Sequence, residues 1–277
     1  MGLRSNLRAA TGILLLACSV QFAQANSDPQ TIVFGVAPGP YGDMVKQAIA
    51  PSLKEKGYKV VVREFSDYVQ PNMALSNGSI DANLFQHSLY FDKFTADKGL
   101  KLTRLLAVPT AGMGFYSRKI SSLDELKKGD IVTISNDPTN LARGLRFLQS
   151  LGLITIKDNI DPTKASERDI ASNPKGLVFK PLEAAQLPRT LDGVTASLVN
   201  GNFAIAAGLK LSSALKQEQL DENLKNIIAV RSEDADKPFA KDIVEAVKSP
   251  AYRAVIDDPN NVYNAFQKPE WMAAEKQ

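Results

Sequence analysis

From residue 31 onward, short β-rich runs alternate with stretches whose apolar positions recur at helical spacing. Residues 31–36 (TIVFGV) read as a buried strand. Residues 41–56 read as a helix, with Met44, Val45, Ala48, Ile49 and Leu53 on one face. Pro51 removes a backbone donor inside that pattern and is expected to kink or split it. Gly57 offers its stop. Residues 59–63 predict a strand, 68–75 a short helix, 80–84 a strand and 86–96 a helix. Residues 102–108 and 113–117 read as extended. A second unit follows, with a strand at 131–135. Asp137-Pro138 then opens a helix that runs to about Ser150, with Asp at the N-cap and Pro in the first turn. Strands are expected at 177–180, 194–198 and 226–231, with helices around 183–187 and over 239–247. This alternation predicts an α/β chain with parallel sheets flanked by helices, arranged as two lobes.

The N-terminus carries a different pattern. Arg4 and Arg8 precede an apolar run at residues 9–20, and Ala23-Gln24-Ala25 follows. Basic flank, apolar run and small-residue site, in that order, make a secretory signal over residues 1–25, with cleavage expected after Ala25. The run is shorter than the about 20 apolar residues that a membrane span needs. Leu15-Leu16-Ala17-Cys18 also looks like a lipoprotein signal, in which Cys18 is lipidated. Either route predicts an exported protein of a bacterial periplasm.

Composition narrows the function. The chain has 277 residues, 33 bases and 30 acids, a near-balance that argues against a nucleic-acid partner. Cys18 and His87 are the sole residues of their types, so neither an internal disulfide nor a Cys/His-rich zinc site is expected. Enzyme signatures are also missing. There is no G-x-x-x-x-G-K-[ST] loop and no G-x-S-x-G elbow. Gly112-Met113-Gly114 lacks the third glycine of a dinucleotide fingerprint. Residues 158–161 (DNID) lack the glycine and distal glutamate of a calcium loop. The expectation is a non-enzyme without cofactor or metal.

Several segments carry a specific resemblance. They are FSDYVQPNMAL (65–75), IDANLFQHSLY (80–90), NDPTNLARGLRFL (136–148), LGLITIKD (151–158), NPKGLVFKPLEAAQLPRTLDGV (173–194) and LVNGNFA (198–204). In this order they resemble the methionine-binding lipoprotein family, the NlpA-type solute receptors of ABC importers. The resemblance runs from about Ile32 to beyond Arg231. It implies a type II periplasmic binding protein: two α/β lobes with a ligand cleft between them, residues 30–112 plus 228–277 forming one lobe and 113–227 the other. It implies a monomer that binds a free amino acid, methionine first, and delivers it to a membrane permease driven by an ATPase. D-methionine, a methionine-containing peptide or another apolar amino acid are the alternative ligands. An enzyme or a surface adhesion lipoprotein are the rival classes.

Carried over by motif, the resemblance implies a pocket of Tyr68, Phe85, His87, Tyr90, Arg143, Asn200 and Asn226. The residue types suit an amino acid. Arg143 can grip a carboxylate through two parallel charge-assisted hydrogen bonds. Asn200 and Asn226 satisfy polar ends without adding charge. Tyr68, Phe85 and Tyr90 can wall an apolar slot, where thioether sulfur makes favourable ring contacts. His87 can donate to the ligand or position Tyr90. Without the motifs, the aromatics would read as core, Arg143 as a solvated charge and the asparagines as caps. The chain departs from the family pattern at AVPTAGMGFYS (107–117), at DENLKN (221–226), and at VAPGPYGD (36–43), which brings in Tyr41.

Overall fold

The computed structural model describes residues 30–274, so the signal segment expected over residues 1–25 lies outside the described residues. The strands are β1 (Thr31–Val36), β2 (Lys59–Glu64), β3 (Ala82–His87), β4 (Leu102–Ala107), β5 (Gly114–Tyr116), β6 (Ile131–Ser135), β7 (Thr155–Ile156), β8 (Ile170–Ser172), β9 (Val178–Leu182), β10 (Ala196–Val199), β11 (Lys216–Gln217) and β12 (Asn226–Arg231). They form two five-stranded sheets, ordered β2-β1-β3-β12-β4 and β11-β5-β10-β6-β9, plus the small pair β7-β8. In the first sheet β1 pairs in parallel with β2 and β3. In the second, β6 pairs in parallel with β9 and β10. The alternation of strand and helix predicts this parallel part.

Antiparallel strands complete each sheet, and the crossing chain supplies them. β12 runs against β3 and β4, and β5 runs against β10 and β11. The chain passes between the sheets after β4 and again after β11. The two crossings lie side by side: Asn226 N–H donates to Thr110 Oγ1 (2.7 Å) and Val108 N–H to the Asn226 carbonyl (2.8 Å). Gln267 braces both. Its backbone pairs with Thr110 in both directions at 3.0 Å, its side-chain amide donates to the Glu218 carbonyl (2.7 Å), and its side-chain oxygen accepts from Leu220 N–H (2.8 Å). The C-terminal segment therefore clasps the hinge from outside.

Pro51 neither splits nor ends its helix. The run continues as Pro40–Met44, a π-turn at Val45–Ile49, and Ala50–Glu55. Ala50 N–H reaches back five residues to the Val45 carbonyl. The wider turn absorbs the proline just C-terminal to it, where a tighter ladder would leave a carbonyl against the ring. Met44, Val45, Ala48, Ile49 and Leu53 are all buried in the core under the first sheet. The segment expected to be helical around 183–187 is a 3₁₀ stretch, Ala184–Asp192, with Pro188 inside it.

The Pro138–Ser150 helix forms with the expected cap: the Asp137 carboxylate accepts from Asn140 N–H at 2.9 Å. Leu141, Ala142, Leu145 and Leu148 bury in the core of the second sheet. Gly144 lets this helix lie close on β6 and β10. A Cβ there would fall 2.7 Å from Ile134 Cδ1, 2.9 Å from Ile134 Cγ1 and 3.3 Å from Leu198 Cδ1. Gly144→Ala gains about 1 kcal/mol of helix propensity but overpacks a filled core at a cost of about 1–3 kcal/mol. Net destabilisation of up to about 2 kcal/mol is expected, read as a lower urea midpoint with an unchanged slope.

Candidate functional site

In open α/β sheets, ligands sit beyond the carboxyl ends of the parallel strands. Here those ends face each other. β3 closes on Phe85, Gln86 and His87, β6 on Ser135, and β10 on Val199, with Asn200 next in the chain. Between them lies a narrow cleft in which only about 20 Å³ admits the centre of a water-sized sphere. All seven residues nominated from the sequence line it: Tyr68, Phe85, His87, Tyr90, Arg143, Asn200 and Asn226.

One wall is aromatic. The Tyr68 ring lies 5.9 Å from Phe85, 6.1 Å from Tyr90 and 5.1 Å from Phe203, centroid to centroid. Phe203 belongs to the short Gly201–Ala206 helix that follows β10, so this wall spans both sheets. Tyr90 hydroxyl donates to the Tyr68 carbonyl at 3.0 Å and fixes the two rings relative to each other.

The opposite wall is a chain of neutral amides anchored to one carboxylate. Asn140 Nδ2 donates to both Asp137 oxygens at 3.1 Å. Its Oδ1 accepts from Asn200 Nδ2 at 3.0 Å and faces His87 Nε2 at 3.4 Å. Ser135 hydroxyl donates to Asn200 Oδ1 at 3.0 Å. His87 is the N-cap of the Ser88–Lys98 helix rather than a residue within it: its Nδ1 accepts from Tyr90 N–H at 3.1 Å. That bond fixes the tautomer. Nδ1 is the acceptor, so the proton of the neutral ring sits on Nε2, directed at Asn140. Burial, reinforced by the Arg143 charge, holds His87 well below the usual histidine range, although the Asn140 contact opposes the shift.

Arg143 has a protein partner that its sequence neighbourhood did not announce. Glu218 takes the Nε/Nη2 edge of its guanidinium. Nε donates to Glu218 Oε1 and Oε2 at 2.9 and 3.1 Å, and Nη2 donates to Oε2 at 2.6 Å. Glu218, equally buried, also accepts from Met113 N–H at 3.1 Å. A guanidinium out of water needs a countercharge, and its own helix offers none at the right spacing. Burial works against the charge of Arg143, and Glu218 more than offsets it, so its pKa is raised. Among the described residues Nη1 has no protein partner, and the side chain lines the cleft.

Some lining residues were not expected. Asn140 is spaced three residues from Arg143, on the same helix face, and that spacing was a readable signal. Asn202 bridges the sheets: it accepts from Tyr68 hydroxyl at 2.6 Å and donates to the Pro38 carbonyl at 2.9 Å. Gly39 makes this approach feasible. It has φ 124°, and a Cβ there would lie 2.5 Å from the Asn202 carbonyl oxygen. Gln86 is locked in a buried amide cluster with Asn72 and Asn83. Tyr41 and Thr110 complete the hinge end. Among the described residues no cluster of His, Cys, Asp and Glu side chains is arranged to hold a metal ion, and no helix is long and apolar enough to cross a membrane.

Comparison with known proteins identifies the family and the fold. The NlpA lipoprotein family model matches residues 32–271. The D-methionine-binding lipoprotein MetQ of Salmonella typhi is 38% identical over 270 residues, which cover 95% of this chain and 97% of that one. A nutrient binding protein from Burkholderia cenocepacia, solved bound to methionine, superposes with a TM-score of 0.78 at 38% identity, over 82% of this chain and 95% of its own. The crystal structure of the methionine binding protein MetQ gives a TM-score of 0.80 at 36% identity, over 87% and 98%. The family match runs from the first strand to the last helix, with the two-sheet architecture of solved methionine-binding proteins: the chain belongs to the NlpA lipoprotein family.

Proposed function

We propose that this chain is the extracytoplasmic solute receptor of an ABC importer. It binds free methionine between its two lobes and hands it to a membrane permease driven by an ATPase. The observation that carries the reading is the cleft, whose lining combines an aromatic wall, a chain of neutral amides and a buried guanidinium with an unpartnered terminal nitrogen. Those are the recognition needs of a zwitterion with an apolar thioether tail. Relatives named for methionine binding support the same ligand. In this reading the two sheets are the cores of two lobes, divided near residues 113 and 227, that close on the ligand. Closure excludes water and strengthens the contact between Arg143 and a carboxylate. Binding and release involve no covalent step, so no catalytic residue is required. Residues 1–25 direct export to the periplasm. The name lipoprotein in the relatives supports lipidation at Cys18 as a route alongside cleavage after Ala25.

Native mass spectrometry of the protein as purified tests the reading first. A bound mass equal to methionine is expected, and chiral analysis of the released ligand separates the D from the L form. An empty protein that also gives no thermal shift with either form of methionine would overturn it. The same spectrum reads the mature start, Asn26 or a diacylated Cys18.

Arg143 gives a sharper test. Arg143→Ala is expected to lose binding by about a hundredfold or more, because it removes a charge-assisted contact from a closed site. It also strands Glu218, and breaking a buried pair costs about 3–5 kcal/mol. The double variant Arg143→Met/Glu218→Gln should recover much of that stability without recovering calorimetric methionine binding.

His87 sets a pH signature. Its folded pKa is depressed, so below about pH 6.5 the unfolded chain binds a proton that the folded chain refuses. Stability is therefore complete above that value and falls as pH drops through it. His87 is the sole histidine, so the thermal midpoint of the ligand-free protein should fall between pH 7 and 5.5. His87→Gln should flatten that part of the profile.

A further inference from the structure

Tyr41 lies in the first turn of the Pro40–Met44 helix, and it lines the cleft at the hinge end. Its ring is fully buried, packed 6.2 Å from Phe266, and the neighbouring Pro40 carbonyl accepts from Tyr263 hydroxyl at 3.0 Å. The phenol is therefore held rigidly. Its oxygen accepts from Ala111 N–H at 3.3 Å. Thr110 also faces it. The Thr110 proton is committed to the Val108 carbonyl at 2.8 Å, and its oxygen already accepts from Asn226 N–H at 2.7 Å. The Tyr41 proton thus has two destinations, the remaining lone pair of Thr110 or the cleft. Burial pushes the phenol up to about 12, against the opposing pull of Ala111, Thr110 and the Arg143 charge, so the proton stays on at any physiological pH.

A phenol proton that lines the same cleft as the Arg143 guanidinium, in a site shielded from water, is matched to an anion. We propose that Tyr41 is a specificity-determining residue: its hydroxyl turns from Thr110 to the ligand and, with Arg143, holds the α-carboxylate of the bound amino acid. The reasoning rests on the amino-acid reading above. A carboxylate accepts more strongly than a hydroxyl that is already engaged, so binding drives the switch. Glu218 occupies the Nε/Nη2 edge of Arg143, which leaves only the Nη1/Nη2 end of the guanidinium for an anion. Tyr41 supplies a further donor from the other side of the cleft. The chain thereby reads the carboxylate with two residues from different sheets, and ligands lacking that charge lose both contacts.

The test is calorimetric titration of wild type and Tyr41→Phe with methionine and with methioninol, which keeps the ammonium and the thioether but not the carboxylate. Phenylalanine keeps the ring packing and removes only the hydroxyl. Methionine affinity is expected to fall about ten- to a hundredfold, while methioninol affinity stays within about twofold, so the preference between them collapses. That ratio, taken on one preparation, is insensitive to any general loss of folded protein. Equal weakening of both ligands would assign Tyr41 a packing role and overturn the proposal. Unchanged methionine affinity in Tyr41→Phe would overturn it too and leave the receptor reading standing. A wild-type protein that binds neither ligand would overturn both.

Discussion

A guanidinium buried in the centre of the molecule must be neutralised, and that requirement ties the second sheet to the hinge. Arg143 projects from the Pro138–Ser150 helix, and its partner Glu218 lies 75 positions later, at the start of the second crossing. The same carboxylate holds Met113 at the end of the first crossing. Gln267 in turn holds the Glu218 carbonyl and Thr110. One ion pair therefore sets the helix, both crossings and the C-terminal brace in a common frame. The pair is costly to break from either side, because the survivor is left charged in a poor solvent. It also reshapes the site. With its Nε/Nη2 edge held by Glu218, the Nη1 side of the guanidinium is the part left without a protein partner among the described residues.

The rest of the cleft meets a second constraint. Its polar groups are shielded from water, so each must find a partner across the gap. The solution is a relay of amides, Asp137 to Asn140 to Asn200 to Ser135, in which the single acceptor of Asn140 serves both Asn200 and His87. His87 belongs to the first sheet and Asn140 to the second. Tyr68 and Asn202 form the second bridge. These two contacts, with the aromatic wall that includes Phe203, register one lobe against the other. The groups that line the cleft are thus also the groups that align the two sheets, and a substitution at Asn202 or Asn140 acts on both.

Much of the fold was legible because its signals are local. The Asp137-Pro138 cap gave the helix start, and the apolar spacing from Met44 to Leu53 gave the buried face. Elements set by distant contacts were less legible. The π-turn before Pro51 depends on keeping both halves of the helix against one core. His87 reads as helical from its neighbours, yet it caps the helix because β3 continues through it to pair with Asn226 on β12. Short edge strands such as β11 carry too few residues for any periodicity.

What the sequence determined by itself was the alternation of strand and helix and, through its motifs, seven residues of one cleft. Those are properties of short segments, and each segment keeps its signal wherever it folds. Tertiary structure alone decided how the segments use their side chains. It gave Arg143 a partner from the hinge, made Asn202 a bridge, and put the Tyr41 phenol in the same cleft as that guanidinium. The physical reason is burial. Removed from water, each polar group takes whichever partner the packed chain brings within reach, and no local pattern records who that partner is.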